Sequence, residues 1–369
     1  MSSSLSSQIA ARVGIAVMIA TGLDHLHDRI AGCALGGAVG DALGLPAEGI
    51  SRRRAAKMFR GSLRHRFAFG RGMCSDDTEH ACMTARAILT HPTDADAFAR
   101  VLAWKLRWWL LGVPAGIGLA TLRSIVRLWL GIPPDRSGVR SAGNGPAMRA
   151  AIIGTYFRDD ERRLRDYIRA STRLTHSDPR AERGSLIIAL AAAHAVRSGG
   201  ADGFIDIALR QSAPDQELHS ALQAAAEHLH AGASAATFAN AIGLSRGVSG
   251  YINHTVPIAL YCWLRTPHSF EDAVGSCIAL GGDTDTTAAV TGALIGATAG
   301  ASAIPKPLLD GLIEFPRSVK WMRELASDLA ARRAPQRGNI AFVPALLPRN
   351  VLFAVIVFAH GFRRLLPPW

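Results

Sequence analysis

The sequence predicts an all-α fold, a compact single domain built as a helical bundle. Three observations carry that prediction. Stretches such as "TEHACMTARAIL" and "AFARVLAWKLRWWLLG" repeat apolar residues at helical spacing. Alternating apolar and polar runs bounded by turn pairs, the mark of strands, are nearly absent. The chain has 369 residues and 49% hydrophobic content, enough for one large core, and no long low-complexity linker divides it.

Taken in order, the chain opens with "MSSSLSSQIAARVGIAVMIATGL". Its short apolar centre after one arginine is faintly like a signal peptide. No small-x-small cleavage site follows in "DHLHDRIAG", so residues 1–22 are expected to be an arm or extra helix rather than an export signal. The domain is placed at 23–334. Its first helix, "GCALGGAVGDALG", has Gly32, Gly36, Gly40 and Gly44 at every fourth position. Glycine weakens a helix, so such a stripe needs a reason. Fourth-position spacing puts it on one face, where it allows another backbone to approach closely. "TGALIGATAG" repeats the device with Gly292, Gly296 and Gly300. Between these lie the two helices already quoted, then "GSLIIALAAAHAVRSG" and "SFEDAVGSCIALG". They are separated by the punctuation of "GIPPDRSG", "SAGNGPA" and "HSDPRAERG". Trp104, Trp108, Trp109 and Trp129 predict a packed helical pair; the alternative is a lining for an aromatic or adenine-bearing ligand. Residues 335–369 form an apolar and basic extension. Its run from Val351 to Ala359 is too short to span a bilayer. It is expected to dock over a hydrophobic groove within the molecule, with contact to a membrane surface as the other reading.

Lys and Arg number 41 against 29 Asp and Glu, a net charge of +12. That balance suits a polyanionic partner, or is simply a basic soluble surface. The arginines are scattered and no aromatic-interleaved basic motif appears, so nucleic acid is a weak candidate partner. Five cysteines without a CxxC pair point to a reduced, cytoplasmic chain.

Three acidic clusters stand beside apolar helices. "GDALGLPAEG" holds Asp41 and Glu48; "CSDDTEH" holds Ser75, Asp76, Asp77 and Thr78; "GGDTDTT" holds Asp283, Asp285 and Thr286. Each alone reads as a helix cap. Three in one chain, with Arg71 and His80 the nearest cations in sequence, point to a shared cation, because buried carboxylates are costly unless paired or metal-bound. Oxygen-only donors select Mg²⁺, Mn²⁺ or Ca²⁺ over zinc.

Five blocks then match, in order, the ADP-ribosylglycohydrolase family, which the chain resembles from Gly32 to Pro316. They are "GCALGGAVGDALGLPAEG", "SDDTEHACM", "SAGNGPAMRAAIIG", "RLTHSDPRAERGS" and "LGGDTDTTAAVTGALIGATAG". The resemblance implies an all-α orthogonal bundle with two Mg²⁺ ions, Mn²⁺ being the substitute. It implies that Ser75, Asp76, Asp77, Asp283, Asp285 and Thr286 are the metal ligands. Gly143, Asn144, Gly145, Ala147, Met148 and His176 fall at the substrate-binding positions, and Glu48, Asp77 and Asp283 are the catalytic candidates. Asp41 falls in a block where a structural role is expected. Ile152 stands where many members have proline. The implied activity is release of ADP-ribose from a modified acceptor, a protein above all. The rival readings are a non-catalytic ADP-ribose-binding or structural protein on the same fold and another two-metal phosphoester hydrolase.

Overall fold

The computed structural model describes residues 24–58, 61–335, 342–363 and 365–366. The arm expected over residues 1–22 and most of the link into the C-terminal extension lie outside these. In chain order the helices are α1 (24–44), α2 (Arg52–Met58), α3 (Asp76–Thr90), α4 (Ala95–Leu111), α5 (Leu119–Trp129), α6 (Ala150–Tyr156), α7 (Glu161–Arg173), α8 (Pro179–Ser198) and α9 (Phe204–Ser212). There follow α10 (Gln216–His230), α11 (Ala235–Ala241), α12 (Ile252–Arg265), α13 (Phe270–Ile278), α14 (Thr284–Ala299), α15 (Lys306–Asp310), α16 (Val319–Ala331) and α17 (Phe342–Arg363). Among the described residues only isolated β-bridges occur, and these join loops. The all-α expectation is met.

Local chemistry sets the helix starts. Asp94 caps α4 by accepting from the amides of Asp96 and Ala97. Asp178 caps α8 and is followed by Pro179, whose missing N–H costs nothing in a first turn. α14 is different in kind. Every residue from Thr284 to Thr298 is buried, so it is the central rod around which the others pack. Three of its threonines are satisfied along its own backbone: Thr287, Thr291 and Thr298 donate to the carbonyls four residues back at 2.6, 2.8 and 2.9 Å.

The two glycine stripes meet each other. A Cβ at Gly32 would lie 2.1 Å from the Gly296 carbonyl oxygen, at Gly36 2.2 Å from that of Gly292, at Gly40 2.1 Å from that of Ala288, and at Gly44 2.3 Å from that of Thr284. One partner number falls by four as the other rises by four. α1 and α14 therefore run antiparallel with their backbones in contact along four turns, a separation no side chain permits. The C-terminal end of α1 is thereby laid against the N-terminal end of α14.

The tryptophan expectation is corrected in part. Trp109 is core, 1% exposed, but Trp104, Trp108 and Trp129 are 53%, 50% and 42% exposed. The outer three meet edge to face, with Trp129 6.3 Å from each of the others. Arg107 lies over Trp104 and donates to the Leu128 carbonyl, which draws α4 and α5 together from outside the core. The extension forms one helix that touches the domain along one side. α17 buries Leu346, Arg349, Asn350 and Phe353 and leaves Val351, Leu352, Val355, Phe358 and Phe362 exposed.

Candidate active site

Three helix ends converge where α1 and α14 are pressed together. α1 ends at Gly44, and a short 3₁₀ turn, Leu45–Ala47, leads to Glu48. The chain then bonds to the entry of α14: Gly49 N–H donates to the Gly282 carbonyl at 2.7 Å, and Gly282 N–H to that of Ile50 at 2.9 Å. Gly281 and Gly282 take φ of +71° and +88°, and a Cβ on Gly282 would lie 1.9 Å from the Val248 carbonyl oxygen. Only glycine fits that conformation and that gap. The turn delivers Asp283, Asp285 and Thr286 to the first turn of α14.

The third end is the start of α3. Asp41, fully buried on α1, accepts from the amides of Ser75 and Thr78 at 2.9 and 3.2 Å and from the Thr78 hydroxyl at 2.5 Å. Asp41 thus holds the "SDDT" turn, which is the structural role expected for it. Burial lifts its carboxyl to about 6, against the pull of those hydrogen bonds. Ser75 caps α3 in turn, its hydroxyl accepting from Asp77 N–H at 3.2 Å.

The two acidic turns touch. Thr286 donates to Asp77 Oδ2 at 3.1 Å, and Ser75 donates to the same oxygen at 3.3 Å. The carboxyls of Asp76, Asp77 and Asp285 are all held well above the usual carboxylate range, first by burial and then by neighbouring carboxylates. Those neighbours include Asp41 and Glu48 for Asp76, Asp41 and Asp283 for Asp77, and Glu48 and Asp283 for Asp285. The acidic groups from α1, α3 and α14 therefore face one another. Glu48 is exposed at their rim, whereas Asp77 and Asp285 are buried. Asp77 Oδ1 and Asp285 Oδ1 are buried with no hydrogen-bond partner. Among the described residues no three Asp, Glu, His or Cys side chains are gathered tightly enough to grip one ion unaided. The donor chemistry nonetheless fits a hard divalent cation: carboxylates and hydroxyls only, spare buried lone pairs, and mutual repulsion that a cation relieves.

Beside the acidic turns runs the glycine loop. Asn144 is buried, and its amide donates to Asp283 Oδ2 at 2.7 Å and to Thr255 Oγ1 at 2.9 Å. Both amide hydrogens are therefore engaged by protein, and Asn144 ties the loop to the entry of α14. Gly143 and Gly145 lie over the His176 ring, where added Cβ atoms would come within 3.1 and 3.0 Å of it. His176 is buried, shares a 2.9 Å hydrogen bond with the Thr175 hydroxyl, and is pushed down to about 3 by burial and by nearby Arg149. Its surroundings thus favour the neutral imidazole. Ala147 is wholly buried, its amide closing a turn on the Asn144 carbonyl at 2.7 Å. Met148 lines, with Asp77, a cavity of about 40 Å³ among α1, α3, α6, α14 and α16.

Sequence reasoning did not reach two groups that shape this site. Arg149 is completely buried with no carboxylate partner among the described residues and donates to Ser171, Thr175 and His80. It links the α3 helix to the segment bearing His176. Its signal was a lone arginine inside the apolar "AMRAAIIG". The other is the pair of Glu314 with Arg349, which no local pattern marks.

The fold and the site define an all-α protein that gathers acidic helix starts next to a glycine loop. The ADP-ribosylglycohydrolase family model matches residues 23–339. The chain belongs to the ADP-ribosylglycohydrolase family. It is 30% identical to an uncharacterised protein of Archaeoglobus fulgidus over 311 residues, 82% of this chain and 96% of that one. It is 26% identical to the ADP-ribosyl-[dinitrogen reductase] glycohydrolase of Rhodospirillum rubrum over 294 residues, 78% and 91% of the two chains. A solved structure titled as an ADP-ribosylglycohydrolase-related protein complex superposes with a TM-score of 0.63 at 27% identity, covering 85% of this chain and 100% of that one.

Proposed function

We propose that the protein is a cytoplasmic metal-dependent hydrolase that cleaves the bond between C1″ of the terminal ribose of ADP-ribose and an acceptor, most readily a modified protein side chain. The observation that carries this reading is the contact between the two acidic turns, with Asp77 Oδ1 and Asp285 Oδ1 buried and unbonded beside the Gly143–Met148 loop. Ser75, Asp76, Asp77, Asp283, Asp285 and Thr286 would hold two Mg²⁺ or Mn²⁺ ions. Bound there, the ions supply Lewis acidity to the ribose hydroxyls and to water.

The chain's own groups do the rest. The loop around Gly143 and Gly145 would lie against the diphosphate, its shape held by the N–H groups of Gly143, Asn144 and Ala147, which donate to Ser141 Oγ and to the Gly250 and Asn144 carbonyls. Neutral His176 lies under that loop and supports it. Glu48, the exposed carboxylate of the group, is the proposed acceptor of a proton from water as the water oxygen joins C1″. The bond to the acceptor breaks and the acceptor leaves with a proton. Charge building at C1″ would be oxocarbenium-like, as in other glycoside cleavage, and Asp77 and Asp283 are the carboxylates proposed to offset it. The name of the Rhodospirillum rubrum relative supports the reaction class.

A panel of ADP-ribosylated arginine, serine and nucleic-acid ends, with Mg²⁺ and with Mn²⁺, tests the reading. Release of ADP-ribose from at least one is expected, and Asp285→Ala should reduce it by about 10³-fold, in the range seen when a preorganised electrostatic group is removed. Full activity of that variant with Mg²⁺ present would sink the metal assignment. Binding of ADP-ribose with no release from any substrate would instead identify a binding protein, and turnover of phosphoesters alone would identify the phosphoester hydrolase.

A further inference from the structure

α17 begins at Phe342, beyond the residues 23–339 that the family model matches. Its second turn nonetheless reaches the residue before the Ser75 cap. Arg349 and Glu314 are 7% and 6% exposed. Arg349 donates from Nε to Glu314 Oε1 at 3.1 Å and from Nη2 to Glu314 Oε2 at 2.8 Å, a fork on a carboxylate. Arg349 Nη2 also donates to the Cys74 carbonyl, and Cys74 N–H donates to Glu314 Oε2 at 2.9 Å. Both backbone polar groups of Cys74 are thus taken by one buried ion pair.

The guanidinium is itself fixed from its own helix. It donates to Asn350 Oδ1 at 3.0 Å and lies 4.7 Å from the centre of the Phe353 ring. Asn350 in turn donates to the Gly112 carbonyl at 2.7 Å, anchoring α17 at the end of α4. A buried ion pair adds little net stability over an apolar pair of the same volume. This one contributes orientation. Asp41 holds the Ser75 amide from one side, and the Arg349–Glu314 pair holds the preceding peptide from the other.

We propose that Arg349, acting through Glu314 and the Cys74 backbone, is a positioning residue for the Ser75–Asp77 turn, which makes α17 part of the support of the active site. The inference rests on the reading of that turn as metal-holding. Groups that orient metal ligands are typically worth about 10- to 100-fold in affinity.

The test uses the full chain, with Arg349→Met, Arg349→Ala and Asn350→Ala, and Mn²⁺ as the probe in calorimetry. Amide hydrogen exchange of residues 74–78 is followed in parallel without metal. R349M should weaken Mn²⁺ by about tenfold or more and speed exchange at 74–78. N350A removes one contact of the guanidinium and loosens α17 at Gly112 but leaves the fork on Glu314 in place, so its loss of Mn²⁺ affinity and its gain in exchange at 74–78 should both be smaller than those of R349M. Added guanidinium should restore Mn²⁺ affinity to R349A, where it can refill the gap, and not to R349M. Should R349M fail to fold, R349K keeps the charge without the fork and must show the same fast exchange. Wild-type exchange at 74–78 in the Arg349 variants would overturn the proposal, as would equal loss of Mn²⁺ affinity in N350A. A wild-type chain that binds no Mn²⁺ would overturn the metal reading, while exchange at 74–78 would still decide the positioning role.

Discussion

At the residue scale, the site depends on side chains whose charge is set by burial. His176 is the clearest case. Its pKa is lowered from 6.5 to about 3, so the fold favours the neutral ring. The unfolded chain binds a proton below about pH 6.5 that the folded chain refuses. The stabilising contribution is therefore complete above pH 6.5 and is lost progressively as pH falls toward 3. Between pH 6.5 and pH 5 the wild type should lose about 2 kcal/mol more than His176→Gln does, at 1.36 kcal/mol per unit. Urea unfolding of both proteins at the two pH values measures this, and parallel losses would show that His176 is not held neutral. His80, which burial and Arg149 also push down, is common to both proteins and cancels. Residue type was legible here: the carboxylates, hydroxyls and His176 can all be picked out from their blocks. The partner of Asn144 was not. Its tie to Asp283 spans 139 positions, and nothing local in "GNGPAM" encodes it.

At the scale of the element, the α1–α14 pair is the part of the fold most plainly written in the chain. Glycine at every fourth position in two helices predicted close backbone approach, and the antiparallel register follows from which glycines meet. Gly36→Ala puts a Cβ 2.2 Å from the Gly292 carbonyl oxygen, and neither backbone can yield without shifting a whole helix. Overpacking of this kind costs about 3 kcal/mol, and because the contact aligns Asp41 with the acidic turns, activity should fall as well. Thermal unfolding together with turnover checks both. An unchanged Tm would show that the helices tolerate separation. The tryptophan-rich pair was harder to read. Helical spacing marks Trp104, Trp108, Trp109 and Trp129 alike as apolar, yet only Trp109 is inside, its indole N–H donating to Glu79 at 2.6 Å. Which face of α4 is inward depends on neighbours far away in sequence.

At the scale of the whole molecule, the acidic cluster is a liability that a bound cation would remove. A ligand at a hundred times its Kd that binds only the folded state adds about 2.7 kcal/mol of stability. Addition of Mg²⁺ should therefore raise Tm, and EDTA should return it to the metal-free value. A Tm indifferent to both would count against the ions proposed at Ser75–Asp77 and Asp283–Thr286. The outward face of α17 is a second molecular feature, since Phe358 and Phe362 are 69% and 71% exposed. A contiguous apolar face of this kind promotes association. Replacing both phenylalanines with serine should lower concentration-dependent light scattering without altering turnover, because neither residue reaches Cys74.

The sequence by itself determined the helical class, the glycine contact and the identity of the acidic and glycine-rich blocks. These follow from periodicity and residue chemistry, which act within a few turns of chain. Only the tertiary structure decided that Asp41 holds the turn that starts α3, that Asn144 holds Asp283, and that Arg349 of α17 grips the peptide before Ser75. Those hydrogen bonds join segments from 34 to 275 positions apart. Such contacts form because the packed core leaves each buried donor one acceptor within reach, and that acceptor is chosen by the packing of helices rather than by neighbours in the chain.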